Sequence, residues 1–148
     1  EKSMELKIKK VRKNATIPTY GSEGAAASDL YACIEEKLTI SPGETVFVPT
    51  GLSMAIPKGY GGFIYARSGL SCKQGLAPAN KVGIVDADYR GEVMIALHNH
   101  SKEERTIEPQ ERIAQFVIAP YMKVDYVEVN ELDDTDRGNG GFGSTGKK

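Results

Sequence analysis

The chain's 148 residues never sustain an apolar helical period for three turns. Short runs of alternating or β-branched residues recur instead, and Gly, Pro and polar clusters cut them apart. That pattern predicts strands near 4–11, 28–34, 37–40, 44–49, 52–56, 62–66, 82–85, 92–98, 105–107, 112–119 and 123–129. "SPGE" at 41–44 and "PKGYGG" at 57–62 carry turn chemistry, and a short helix can follow Ser68. So many short strands at this spacing predict an all-β protein, closed or double-sheeted, as a jelly roll or barrel.

The pattern stops at Asn130. Beyond it, "NELDDTDRGNGGFGSTGKK" offers only Leu132 and Phe142 as large apolar groups. Such a segment cannot bury enough surface to offset its ordering entropy. The expected organisation is a β domain over 1–132 and a mobile arm over 133–148. Fully extended, the last nineteen residues would reach roughly 60 Å, enough to cross onto a neighbouring subunit. The arm nearly spells a P-loop, with Gly141, Gly146 and Lys147 in register, but Lys148 stands where Ser or Thr is needed. A P-loop also needs a following helix to hold the phosphates.

Bulk composition narrows the partners. Apolar residues make up 40% and charged residues 26%, with a net charge of −1, so no basic excess argues for nucleic acid. No apolar run approaches a membrane span, and "EKSMELKIKK" is not a signal peptide, so a cytoplasmic location is expected. Cys33 and Cys72 make neither a disulfide framework nor a zinc site; they read as reduced, partly buried thiols.

Four stretches could carry chemistry. "NKVGIVDADYRGEV" at 80–93 reads as a hairpin whose turn holds Asp86, Asp88 and Tyr89. The carboxylates could be solvated turn residues, a general base or a metal ligand; the tyrosine ring could stack on a sugar or base. "ARSGLS" at 66–71 could offer an anion the Arg67 guanidinium, the Ser68 hydroxyl and a free N–H near Gly69, or could be a plain exposed turn. "ERIAQF" at 111–116 sets Arg112 and Gln115 in an apolar strand, where polar groups need partners. Asp29 in "AASDLYA" poses the same question, with a salt bridge as its plain answer. His98 and His100 lack companions for a transition-metal site and read as surface residues. "DTDRGN" at 134–139 begins like a calcium loop but lacks its turn glycine and closing Glu.

In this order and spacing the chain resembles the trimeric dUTPases. The five motifs that carry the resemblance are "AASDLYA" (26–32), "ARSGL" (66–70), "NKVGIVDADYRGE" (80–92), "ERIAQF" (111–116) and "RGNGGFGSTG" (137–146). Ala27 and Ser28 before the Asp, Ala66 before the Arg and Phe116 after the Gln depart from the family's usual residues without removing a functional group.

The resemblance implies a jelly-roll-like β-barrel subunit of the β-clip type, assembled as a homotrimer. Each active site would draw motifs from all three chains, with the Gly-rich arm closing as a phosphate cradle. The implied reaction converts dUTP and water to dUMP and pyrophosphate, which keeps uracil out of DNA and supplies dUMP for dTMP synthesis. Asp86 would activate the water that attacks the α-phosphorus. Asn80 and Gly83 would form the base pocket and Tyr89 would pack under the deoxyribose. Arg67, Ser68, Gly69 and Gln115 would hold phosphates. Arg137, Gly143, Ser144 and Thr145 would clamp from the arm, with Phe142 on the uracil face. Mg²⁺ would ride on the triphosphate, with Asp29 as an outer-shell partner through water. Two alternatives share the scaffold: a dCTP deaminase, which calls for a base at the ring, and a non-catalytic regulatory binding protein.

Overall fold

A computed structural model describes residues 3–147. Among the described residues are strands β1 (Lys7–Lys10), β2 (Thr19–Tyr20), β3 (Ser28–Tyr31), β4 (Leu38–Ile40), β5 (Thr45–Ala55), β6 (Tyr60–Tyr65), β7 (Leu76–Pro78), β8 (Gly83–Val85), β9 (Glu92–Asn99), β10 (Arg105–Ile107) and β11 (Arg112–Pro120), and one helix, α1 (Ser68–Gln74). They form a four-stranded sheet ordered β1-β5-β9-β7, a five-stranded sheet ordered β2-β3-β11-β6-β8 and a small β10-β4 pair.

Alternation explains the layering. In β9, Val93, Ile95, Leu97 and Asn99 are buried while their neighbours turn outward. Leu30 and Ile113 from the five-stranded sheet join Val48, Leu52, Ile95 and Leu97 from the four-stranded sheet in one core. Buried Asn99 is fully satisfied: its amide donates to the carbonyls of Ile40 at 2.9 Å and Glu103 at 2.8 Å, and its Oδ1 accepts from Ser101. Edge strand β1 shows Lys7, Lys9 and Lys10 to solvent, charges that discourage another chain from pairing there.

The structure revises several expectations. The predicted strands at 44–49 and 52–56 are one strand, β5, whose pairing with β9 slips between Pro49 and Ser53. Gly51 sits in that irregularity with φ of 71°, a left-handed geometry suited to glycine, and donates its N–H to Glu92 Oε2 at 2.9 Å. The two strands of the expected 80–93 hairpin do not pair with each other: β8 joins β6 and β9 joins β5 and β7. The chain instead changes sheets at this turn. Residues 123–129 alternate but find no partner strand, and every residue from Tyr121 to Asn139 is exposed. Helix α1 ends at Gly75, whose φ of 68° and backbone bonds to Leu70 and Ser71 make an αL cap. Cys33 is buried, but Cys72 is exposed rather than partly buried.

Candidate active site

Strand β8 is an edge. It pairs through Gly83–Val85 with β6, and among the described residues the backbone groups on its other side have no strand to meet. A cavity of about 210 Å³ opens along it, lined by Asn80, Gly83, Asp86 and Tyr89 together with Ile64 and Met94. Four predicted residues therefore share one hollow. A Cβ on Gly83 would lie 3.1 Å from Asn80 Nδ2 and 3.2 Å from Ile64 Cβ, so glycine leaves the room that the hollow uses. Tyr89 is held by its hydroxyl, which donates to the Glu92 carbonyl at 2.8 Å. Its ring occupies the space above Gly91, where a Cβ would stand 2.5 Å from the phenol oxygen. Asp86 is exposed at the rim, and it also lines a wider neighbouring cavity with Asp88 and Arg90.

A second cluster forms where β3, β11 and β6 run side by side. Asp29 pairs with Gln115, and Gln115 with Tyr65, so strand register puts the polar residues on one rung. Arg67, two residues beyond Tyr65, donates from Nε to Asp29 Oδ1 at 3.2 Å and from Nη1 to the Arg112 carbonyl at 3.2 Å. Arg112 Nη1 lies 3.6 Å from Asp29 Oδ2. Buried Asp29 thus faces two guanidiniums, a paired arrangement that makes its burial tolerable. Arg112 itself is exposed, so it is not the buried polar group that its place in an apolar strand suggests. Ser68 and Gly69 stand exposed at the start of α1, beside Arg67. Glu111 lies nearby with Oε2 buried and unpartnered among the described residues. Burial, reinforced by Glu108 and opposed by Arg67, holds its pKa above the usual carboxylate range.

The arm stands apart from both clusters. Arg137 turns back to donate to the Gly140 carbonyl at 2.7 Å, and successive backbone turns follow through Ser144 and Gly146. Phe142 is fully exposed with φ of 50°, an unusual conformation for a bulky residue. Gly143, Ser144 and Thr145 are likewise exposed, and Lys148 lies outside the described residues.

Sequence reading missed Ile64, Met94 and Gly91, which shape the hollow. The first two carry only the alternation common to every strand. Gly91 had a signal in its adjacency to Tyr89, but its spacing does not reveal that the ring folds over it.

A hollow along a free backbone edge and a separate cationic patch suit a nucleotide hydrolase: one can read a base while the other takes phosphates. Residues 13–146 match the dUTPase family model. A deoxyuridine 5'-triphosphate nucleotidohydrolase of Nautilia profundicola is 49% identical over 144 residues, covering 97% of this chain and all of that protein. The same enzyme of Syntrophotalea carbinolica is 46% identical over 145 residues, covering 98% and 99%. Among solved structures, Staphylococcus bacteriophage 80alpha dUTPase with dUPNHPP superposes with a TM-score of 0.86 at 29% identity, covering 98% of this chain and 100% of that one. The chain belongs to the dUTPase family. It is a dUTP diphosphatase on a jelly-roll-like all-β scaffold. The family is generally metal-dependent, and the substrate is a nucleotide. Among the described residues no helix is long and apolar enough to cross a membrane.

Proposed function

We propose that dUTP is cleaved at its α-phosphorus by a water that Asp86 orients and deprotonates, in a site shared among three copies of this chain. The observation that carries the reading is the separation just described. Asn80, Gly83, Asp86 and Tyr89 share one cavity, whereas Arg67, Arg112 and Asp29 bond to one another on a rung that does not line it. A homotrimer supplies one chain's patch to another chain's hollow, and the arm of residues 133–148 closes from a third.

Each group then has a task. The free edge of β8 offers backbone donors and acceptors to the uracil edge, so a base with the wrong pattern leaves a group orphaned. Asn80 supports that edge, and Gly83 lets the backbone approach. Tyr89 packs under the deoxyribose and leaves no room for a ribose hydroxyl. Asp86, at the rim, accepts the proton of the attacking water. Arg67, Ser68, Gly69 and Gln115 hold the phosphates, and Arg137, Gly143, Ser144 and Thr145 complete the cradle. Phe142 covers the uracil face, which gives a use to an apolar ring left wholly in solvent. Closure excludes water and aligns the triphosphate.

The donor set fits Mg²⁺ only as a passenger on the substrate. Among the described residues no three His, Cys, Asp or Glu side chains gather to hold a metal, and both Asp29 oxygens already face arginines. Asp29 would therefore reach the ion through water, as hard oxygen-bound cations allow. Bound to phosphate oxygens, Mg²⁺ would neutralise charge on the triphosphate.

A single turnover in ¹⁸O-water tests the point of attack. The label is expected in dUMP. Label in pyrophosphate would mean attack at the β-phosphorus and would overturn the role given to Asp86.

A further inference from the structure

We propose that His100, acting through Lys81, is a positioning residue for the base-reading segment Asn80–Gly83; the inference rests on the reading of the β8 hollow as the base site. This segment crosses between sheets. It leaves the four-stranded sheet after the Ala79 N–H donates to the Ala96 carbonyl at 2.7 Å, and it enters the five-stranded sheet at Gly83. Midway, Lys81 Nζ lies 2.9 Å from His100 Nε2. His100 stands on firm ground: Asn99 beside it is buried and locked by its bonds to Ile40, Glu103 and Ser101, and the His100 N–H donates to the Gly75 carbonyl at 2.7 Å.

Chemistry fixes the protonation that this contact requires. A lysine ammonium has three donors and no acceptor, so His100 Nε2 must accept. The ring proton of the neutral imidazole then sits on Nδ1, which lies 3.3 Å from the Gly75 carbonyl oxygen. Both contacts select the same neutral tautomer. A second proton would set an N–H against the ammonium, removing the acceptor and adding a like charge.

Other polar and charged groups stand around the ring. From its own strand, His98 meets His100 edge-to-face with centroids 4.5 Å apart, and the His98 Nδ1 is engaged by the Thr45 hydroxyl of β5 at 2.7 Å. Strand β7, Leu76–Pro78, carries no charge. On the adjoining elements, Lys73 lies in the last turn of α1, Lys102 and Glu104 lie in the turn after β9, and Glu103 pairs with Arg105, which also donates to the Gln74 carbonyl. Loss of either partner therefore opens the tether. The base segment then loses its hold on the four-stranded sheet, and KM for dUTP rises while kcat at saturation stays level.

The test is KM and kcat for dUTP in wild type, Lys81→Met, His100→Gln and Asn80→Ala. Lys81→Met should raise KM about threefold with kcat unchanged, the scale of one exposed hydrogen bond. His100→Gln keeps an acceptor oxygen, so its KM should match wild type. A raised KM in His100→Gln, or an unaltered KM in Lys81→Met, would overturn the tether. An unaltered KM in Asn80→Ala would overturn the base-site reading instead. The tether then has its own readout: ¹⁵N shifts of His100 in wild type should show the Nδ1–H form, and Lys81→Met should move the ratio toward Nε2–H. An unmoved ratio overturns it.

Discussion

The phosphate patch and the C-terminal arm are assigned to the same triphosphate, yet they are built in opposite ways. In the patch, Arg67 and Arg112 are already drawn to buried Asp29, and strand register holds the set in place before any nucleotide arrives. In the arm, Arg137 bonds back to its own turn, glycine recurs, and Phe142 lies wholly in solvent. The patch met its ordering cost when the sheet folded; on the proposed reading the arm meets it when ligand binds. A prepared patch favours binding at all times, whereas an arm that orders late can gate the chemical step.

Perturbations can sharpen or break this contrast. Asp86→Asn should lower kcat by about 10³-fold, the scale of a lost general base, while dUTP affinity changes only a few-fold. Rapid-quench turnover beside equilibrium binding checks it, and turnover near wild type would remove Asp86 from the role. Ending the chain after Asp136 should cost about 10²-fold in kcat/KM. It should leave the unfolding midpoint within about 1 °C in calorimetry, because the arm buries little. A large loss of stability would show that the arm belongs to the folded core after all.

Gly83→Ala fills the hollow beside Asn80 and Ile64. It should raise KM about tenfold, the cost of roughly 1.4 kcal/mol of crowding, and change kcat far less. The smallest expected effect lies in the prepared framework. The hydrogen bond from Arg12, helped by the Gly51 N–H and opposed by burial, holds the Glu92 carboxyl below its usual range. A lowered folded pKa gives stability that is present above the unfolded value and lost as pH falls through the folded one. Glu92→Gln should therefore lower Tm by about 2–4 °C near neutrality, and the gap should close in acid. A gap that holds constant with pH would assign the loss to packing.

Much of the β architecture was legible because alternation is local. The expected 92–98 strand overlies β9 almost residue for residue, and 105–107 coincides with β10. The failures share a cause: pairing is not local. Residues 123–129 alternate as a strand should, but alternation names a face without supplying a partner. The turn after Val85 has hairpin chemistry, yet its two arms belong to different sheets, and the same residues would serve either path. Thr50 and Gly51 read as a break, whereas the chain bulges and continues, with the Gly51 N–H received by Glu92.

The candidate site divides likewise. Asn80, Gly83, Asp86 and Tyr89 fall within one short stretch, so their meeting needs little topology. Asp29 and Arg112 are distant in sequence and meet only through the register of β3 against β11. Ile64 reaches the hollow across a strand pair that no spacing rule announces.

The open edge of β8 also has a meaning for heredity. An unpaired strand edge ordinarily invites another polypeptide; here the proposed guest is a nucleobase, received as though it were the sheet's next rung. Uracil then faces a row of fixed donors and acceptors, as it would face a template during copying. Cytosine in the same place would leave a buried amide or carbonyl unmatched, at a cost of about 1–3 kcal/mol, or roughly 5- to 150-fold in preference. Three residues of backbone would thus work as a letter-reader for the precursor pool, catching a wrong letter before any polymerase meets it.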